Sequence, residues 1–308
     1  MAKIAIVGCG AMGSVYAGLM ASAGHEVHAV TLWADHAEAI QQHGLRVEGA
    51  SGDRTVPVHV STSTNGIGPC DLVIIATKAF DVEVAAKSSI PLLGPQTLVQ
   101  TIQNGLGSPE KAAAVLGADR IAIGVVGGFG ASIRAPGHAH HNGMEMIRFG
   151  AFAGLSREAL ETSAQIWRSS GFTVALFDDV LQMVWEKLIM NVAFSGTTCA
   201  TGMTIGEVMA NPDAWKVAQA CSLEAIAVAK AAGIKLDVGD PIEHVRKLGS
   251  KIPNAKPSML LDHLAHRKSE VDAINGSIPV EAAKYGIPTP MNDALVAIIR
   301  AREAAFMS

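Results

Sequence analysis

The chain has 308 residues, 49% hydrophobic and 17% charged, with a formal net charge of −4. That is length for one large domain or two, too apolar for a disordered chain, and without the basic excess that nucleic-acid binding needs. The cysteines, Cys9, Cys70, Cys199 and Cys221, form no C-x-x-C pair, which suits free thiols in a reducing, cytoplasmic setting. The longest apolar stretch, 180–194, is interrupted by Glu186 and Lys187, so no membrane span is expected.

Ile4-Ala5-Ile6-Val7 reads as a strand buried on both faces. Gly8, Gly10 and Gly13 follow at G-x-G-x-x-G spacing, then Val15, Tyr16, Leu19 and Met20 at helical intervals, with Gly24 as the stop. Strand, tight turn and helix make a cradle over Gly8, Cys9, Gly10, Ala11, Met12 and Gly13. Gly8 permits the turn, Gly10 lets the backbone approach a pyrophosphate, and Gly13 lets the helix pack on the strand. The helix start offers N–H groups to the anion. A secretory signal is imitated by Lys3, the apolar run and Ala21-Ser22-Ala23, but the glycines have no role in one.

A second strand is expected within 25–33, a helix over 34–43 ended by Gly44, and short strands at 45–47 and 56–60 around a Gly52-Asp53 turn. Strands follow at 71–76, 97–102 and 121–126, with a helix at 82–90. A loop at 127–130, a hairpin-like region at 137–152, a helix at 156–169 and a strand at 172–176 complete this half. The alternation predicts an α/β fold, a Rossmann-type doubly wound parallel sheet with a few antiparallel additions. After about Asp178 the strand signals fade, and helices are expected at 180–200, 214–232, 241–248, 258–267, 278–285 and 291–306. The predicted division is a dinucleotide-binding domain over 1–178 and an all-helical substrate and catalytic domain over 179–308.

Ligands of open parallel sheets bind beyond the carboxyl ends of the strands. Lys78 follows one strand and Asn104 the next. Asn104-Gly105 also reads as a turn. Lys78 also reads as a solvated residue at a helix start, where the dipole disfavours a cation, a mismatch that adds weight to contact with phosphate or substrate. Lys187, Asn191 and Ser195 recur at intervals of four on an otherwise apolar helix. Such a stripe needs a structural hydrogen-bond network, an exposed face or a ligand. Glu186 beside Lys187, and Asp262 near His266 and Arg267, read as ion-pairing surface groups. His138, His140 and His141 have no Asp or Glu at ligand spacing, so they read as loop residues rather than metal ligands; His263 and His266 support a metal no better.

With these residues in view the chain resembles the ketopantoate reductases (2-dehydropantoate 2-reductases) over almost its whole length. The resemblance rests on GCGAMG at 8–13, Lys78 in ATKAFD, QNG at 103–105, WEKLIMN at 185–191 and SMLLDHLAHRKSEVDAINGSI at 258–278. The last two are the specific ones. The resemblance implies hydride transfer from NADPH to the C2 carbonyl of ketopantoate, which yields pantoate for pantothenate and coenzyme A, with the substrate in a cleft between two domains. It carries the catalytic lysine to Lys187 and its carboxylate partner to Glu270. The substrate-binding asparagine and serine fall on Asn191 and Ser258, the asparagine near the nicotinamide on Asn104, and the lysine that contacts cofactor or substrate on Lys78. Asn275 matches a position of less defined role. The partners implied are a small 2-oxo acid and, as an assembly, a homodimer.

Two departures stand out. Ser195 occupies the place of a second substrate asparagine, which opens the same chemistry on another 2-oxo acid, branched-chain or aromatic. The arginine expected after the second strand for the NADPH 2′-phosphate is missing from Leu32-Trp33-Ala34-Asp35-His36. Asp35 could instead accept a ribose 2′-hydroxyl, as in NAD-specific proteins. NADP(H) is the favoured dinucleotide and NAD(H) the alternative. Outside this family, a 3-hydroxy acid dehydrogenase would carry Gly where Met183 stands, and a non-catalytic dinucleotide sensor would not need the Lys187 stripe.

Overall fold

A computed structural model describes residues 1–128 and 130–307; Phe129, in the loop expected at 127–130, lies outside the described residues. The chain forms two compact units, Met1–Gln103 with Ser108–Val180, and Asn104–Gly107 with Leu181–Ser308.

In the first unit the order is β1 (Lys3–Val7), α1 (Ala11–Ser22), β2 (Glu26–Val30), α2 (Ala34–His43), β3 (Leu45–Gly49), β4 (Arg54–Val56), β5 (His59–Ser61), β6 (Leu72–Ile75), α3 (Val82–Ser89) and β7 (Leu98–Thr101). It continues through α4 (Ser108–Leu116), β8 (Ile121–Val126), β9 (Gly130–Ala135), β10 (His138–Gly143), β11 (Met146–Ala151), α5 (Arg157–Ser169) and β12 (Thr173–Leu176). Eight strands form one sheet in the order β12-β11-β8-β7-β6-β1-β2-β5. Every pairing in it is parallel except β11 with β8. β1 and β6 are apolar at almost every position, and Ile4, Ile6 and all of Leu72 to Ile75 have no exposed surface, as helices on both faces require. From β1 the chain builds outward to β2 and β5, then returns to β6, β7 and β8. The reversal leaves a switch point at the carboxyl end of β1, where Gly8 stands.

Four further strands, β4-β3-β10-β9, make a second sheet, which packs on α1. A Cβ on Gly18 would overlap Val47 of β3. Tyr16, Phe149 and Phe172 surround Trp167, with ring centroids 4.8–5.5 Å away, and the buried Trp167 Nε1 donates to Gln100 Oε1 at 2.8 Å.

Several expectations are corrected. The strand expected at 56–60 is two strands in different sheets, because Pro57 lacks the N–H to continue a ladder. The hairpin is β9 and β10, so it begins at Gly130, and β11 leaves it for the large sheet. The helix α4 was not anticipated, although Pro109 at its second position is a start signal. His138 and His140 lie on β10 rather than in a loop, and each stands 3.2 Å from Glu48 of the neighbouring β3. Ninety residues of intervening chain hide that acid from any spacing rule. All four cysteines are free and buried, and burial pushes the Cys9 thiol up to about 11.

His36 Nδ1 accepts the Gly137 N–H at 3.0 Å, so Nε2 carries the proton and donates to Ser14 Oγ, also at 3.0 Å. Burial holds His36, His25 and His141 below the ordinary 6.5. The unfolded chain therefore binds more protons once pH falls below about 6.5, and stability is full above that value and lost beneath it. Urea midpoints at pH 7.5 and 5.0 should differ accordingly, and His36→Gln should shrink the difference.

The described residues of the second unit hold helices and no strand: α6 (Val180–Thr201), α7 (Ile205–Ala210), α8 (Pro212–Ala231), α9 (Pro241–Lys251), α10 (Ser258–Leu264), α11 (Ser277–Ala282) and α12 (Pro290–Met307). Trp185, Leu188 and Val192 of α6 pack with Val228 of α8, Met259 of α10, Ile278 of α11 and Ile299 of α12. The unanticipated α7 opens with a capping box, Thr204 against Glu207. The helix expected at 258–267 stops at Leu264. No helix among the described residues is long and apolar enough to cross a membrane.

Candidate active site

Gly8 has φ +100°, and a Cβ there would lie 2.5 Å from the Thr77 amide nitrogen. A Cβ on Gly13 would overlap the Gly8 carbonyl. These two glycines are required by the fold itself. Gly10 differs: a Cβ there meets nothing within 4 Å, so its missing side chain leaves open space beside the start of α1. No side chain caps that helix and no acid lies in its first turn, which leaves the amide dipoles to an anion. The cradle fits a dinucleotide pyrophosphate. Lys78 stands half-buried before the short turn Ala79–Asp81 that leads into α3. Asp35 is exposed in the first turn of α2.

Gln103 and Asn104, adjacent in sequence, have different tasks. Gln103 Nε2 donates to the carbonyls of Ile75 and Thr77, at 2.7 and 3.0 Å, within the first unit. Asn104 belongs to the second unit, where its Oδ1 accepts from Lys187 Nζ at 2.8 Å. Gly105 makes that placement possible. Its φ is +83°, and a Cβ would overlap the Ala273 carbonyl, while the Leu106 N–H donates to that same oxygen at 2.9 Å. An amide oxygen orients the ammonium without neutralising it, as a carboxylate would.

On α6 the half-buried Asn191 follows Lys187 by one turn, and Ser195, 4% exposed, follows by another. Ser258 is the exposed first residue of α10. Glu270, 6% exposed, sits between α10 and α11. Asn275 joins the core rather than the stripe: its Nδ2 donates to Val192 O and to Asn292 Oδ1, both at 2.9 Å. Glu186 is no simple surface ion-pair partner. Its Oε1 accepts from Gln182 Nε2 and from the Asp237 amide, at 2.8 and 3.0 Å. Asp262 does pair with Arg267, at 3.2 Å, but its carboxylate is buried. The sequence singled out Lys187 and Asn104 separately; only folding joins them, across 83 positions.

A glycine cradle at the switch point of a doubly wound sheet, with a helical unit carrying an oriented lysine, defines the class: a nicotinamide-dinucleotide oxidoreductase. The family described as ketopantoate reductase PanE/ApbA matches residues 4–154, and its C-terminal part matches 179–303. The chain belongs to that family, whose members act on a CH–OH group with NAD(P). A 2-dehydropantoate 2-reductase of Streptococcus pyogenes is 27% identical over 97% of each chain. A PanE/ApbA family ketopantoate reductase from Ralstonia eutropha has a structure with TM-score 0.92 and 30% identity, covering 99% of this chain and 100% of its own. A D-mandelate dehydrogenase, solved with NADH and anilino(oxo)acetate, also superposes with TM-score 0.92, at 26% identity over 99% of each chain.

Proposed function

We propose that this enzyme transfers hydride from a nicotinamide dinucleotide to the C2 carbonyl of ketopantoate, forming pantoate on the route to pantothenate. The observation that carries the proposal is the Lys187 ammonium held on the Asn104 amide oxygen at 2.8 Å. NADP(H) is the family's dinucleotide and the first candidate. The dinucleotide would lie on Gly8, Cys9, Gly10, Ala11, Met12 and Gly13, with Lys78 beside its phosphates or the acid. When bound, it supplies the hydride.

The chain's own residues supply position and charge. Lys187 Nζ polarises the C2 carbonyl and gives a proton to its oxygen as negative charge develops there. Asn104 Oδ1 holds one N–H of the ammonium, so the remaining donors keep fixed directions. Glu270 accepts from the new hydroxyl or from Lys187. Asn191, Ser195 and Ser258 hydrogen-bond the polar groups of the acid. Loss of the Asn104 amide would leave a charged but less directed Nζ.

Two features favour a second assignment, reduction of a branched-chain or aromatic 2-oxo acid by NADH. Residues 31–37 hold no Lys or Arg, His36 is kept neutral by burial, and the exposed Asp35 would repel a 2′-phosphate. Ser195 offers a short hydroxyl with a single donor hydrogen, where an asparagine amide would reach further and offer two. Turnover of ketopantoate, phenylglyoxylate and 2-oxoisovalerate, each with NADPH and NADH, decides between them. Ketopantoate with NADPH should give the highest kcat/KM. A tenfold advantage for phenylglyoxylate with NADH would install the second assignment, and inertness of every 2-oxo acid despite dinucleotide binding would leave a sensor.

A further inference from the structure

A buried acid on the last helix lies outside every motif described above. Glu303 of α12 is 5% exposed, and its Oε1 collects three donors. The Ser269 N–H donates at 2.7 Å and the Ser269 hydroxyl at 2.6 Å. His263 Nε2 lies at 3.1 Å, and since His263 Nδ1 has no hydrogen-bond partner, the ring serves Glu303 as a donor through Nε2. Phe306, one turn further on, packs against the rings of His263 and His266 at 5.2 and 5.5 Å.

The segment so held is the one that carries Glu270. Residues 265–276, between α10 and α11, form turns rather than helix or strand, with the Glu270 carbonyl accepting from the Ala273 and Ile274 N–H groups, both at 3.0 Å. The placement of a carboxylate on such a segment depends on how firmly its backbone is anchored. α12 anchors it on both sides. Glu303 takes Ser269, the residue before Glu270, and Arg300 takes Asp272, two residues after, donating from Nε at 2.9 Å and from Nη2 at 2.6 Å. Arg302 in turn ties α12 to the last turn of α6 through the carbonyls of Cys199 and Ala200, both at 2.6 Å. Beyond Glu270, the Ala273 carbonyl receives Leu106 N–H, next to the Asn104 segment that orients Lys187. The buried bond is the stronger anchor, since Arg300 and Asp272 are exposed and screened.

We propose that Glu303 is a positioning residue for the reaction, fixing Glu270 through the backbone amide and hydroxyl of Ser269. The proposal rests on Glu270 as the carboxylate partner of Lys187. It predicts that Glu303 and Ser269 affect turnover only through Glu270, which a double-mutant cycle measures. Glu303→Ala should lower kcat by about 10- to 100-fold, the scale of a displaced catalytic group, and Ser269→Ala, which keeps the backbone bond, by less. Dinucleotide Kd should not change, and Ser269→Thr, which keeps the hydroxyl, should restore kcat. In a Glu270→Gln background neither alanine change should lower kcat further. Wild-type kcat in Ser269→Ala, or the same fold-loss with and without Glu270, would overturn the proposal. Wild-type turnover of Glu270→Gln alone would instead remove the role of Glu270 beneath it. If Glu303→Ala loses its thermal transition, Ser269→Ala carries the cycle by itself.

Discussion

Lys187→Ala should lower kcat for reduction of the 2-oxo acid by roughly 10²- to 10⁴-fold, the range of a lost general acid with its charge, while the dinucleotide Kd stays near wild type. Lys187 lies on α6, packed through its neighbours Leu188 and Trp185 into the second unit's core. Its ammonium is oriented by Asn104, whereas the glycine cradle belongs to the first unit. Turnover and dinucleotide binding should therefore separate in this variant. Stopped-flow single turnovers monitored by nicotinamide absorbance measure the chemical step, and fluorescence titration of the reduced dinucleotide measures the Kd. A variant that turns over within a few-fold of wild type would remove Lys187 as the proton donor.

The second large effect is expected at Gly10, and it runs the other way. Gly10→Ala should weaken dinucleotide binding about a hundredfold, roughly 3 kcal/mol, with little change in thermal stability. Its φ is −88°, on the ordinary side of the Ramachandran map, and its Cβ meets nothing within 4 Å. Nothing in the protein itself objects to the methyl group; only a pyrophosphate drawn against the backbone would. Gly13→Ala offers the contrast, because its Cβ overlaps the Gly8 carbonyl and should cost stability with or without ligand. Melting temperatures with and without dinucleotide separate the two cases. Tight dinucleotide binding by Gly10→Ala would put the pyrophosphate elsewhere.

Much of the fold, and the placing of the candidate residues on it, could be read from the amino-acid order, because it is written in local signals. The apolar run 4–7, the glycine spacing at 8–13 and the helical periodicity after it fix strand, turn and helix within some twenty residues, since each depends on backbone sterics and near-neighbour burial. The α2 boundaries, 34–43 with Gly44 beyond, follow from the same local chemistry. The specific blocks at 185–191 and 258–278 pointed to the family, which the match over both parts of the chain supports.

What depended on distant partners was not legible. Pro57 divides one apparent strand between two sheets, and that outcome needs the edges of both sheets to exist. Glu48 meets His138 and His140 only because β3 lies beside β10. Asn104 read as a ligand contact beyond a strand or as a turn residue, with no sign that its partner is an ammonium 83 residues later, and Gly105 shows its necessity only against the Ala273 carbonyl. Glu303 carried no signal at all, because a lone acid in a C-terminal helix looks like any solvated residue until tertiary packing buries it on Ser269. The sequence by itself determined most of the elements and the glycine turn after β1, where the deciding forces act between near neighbours. Tertiary structure alone decided which polar side chains meet, because a buried hydrogen bond depends on the path of the whole chain.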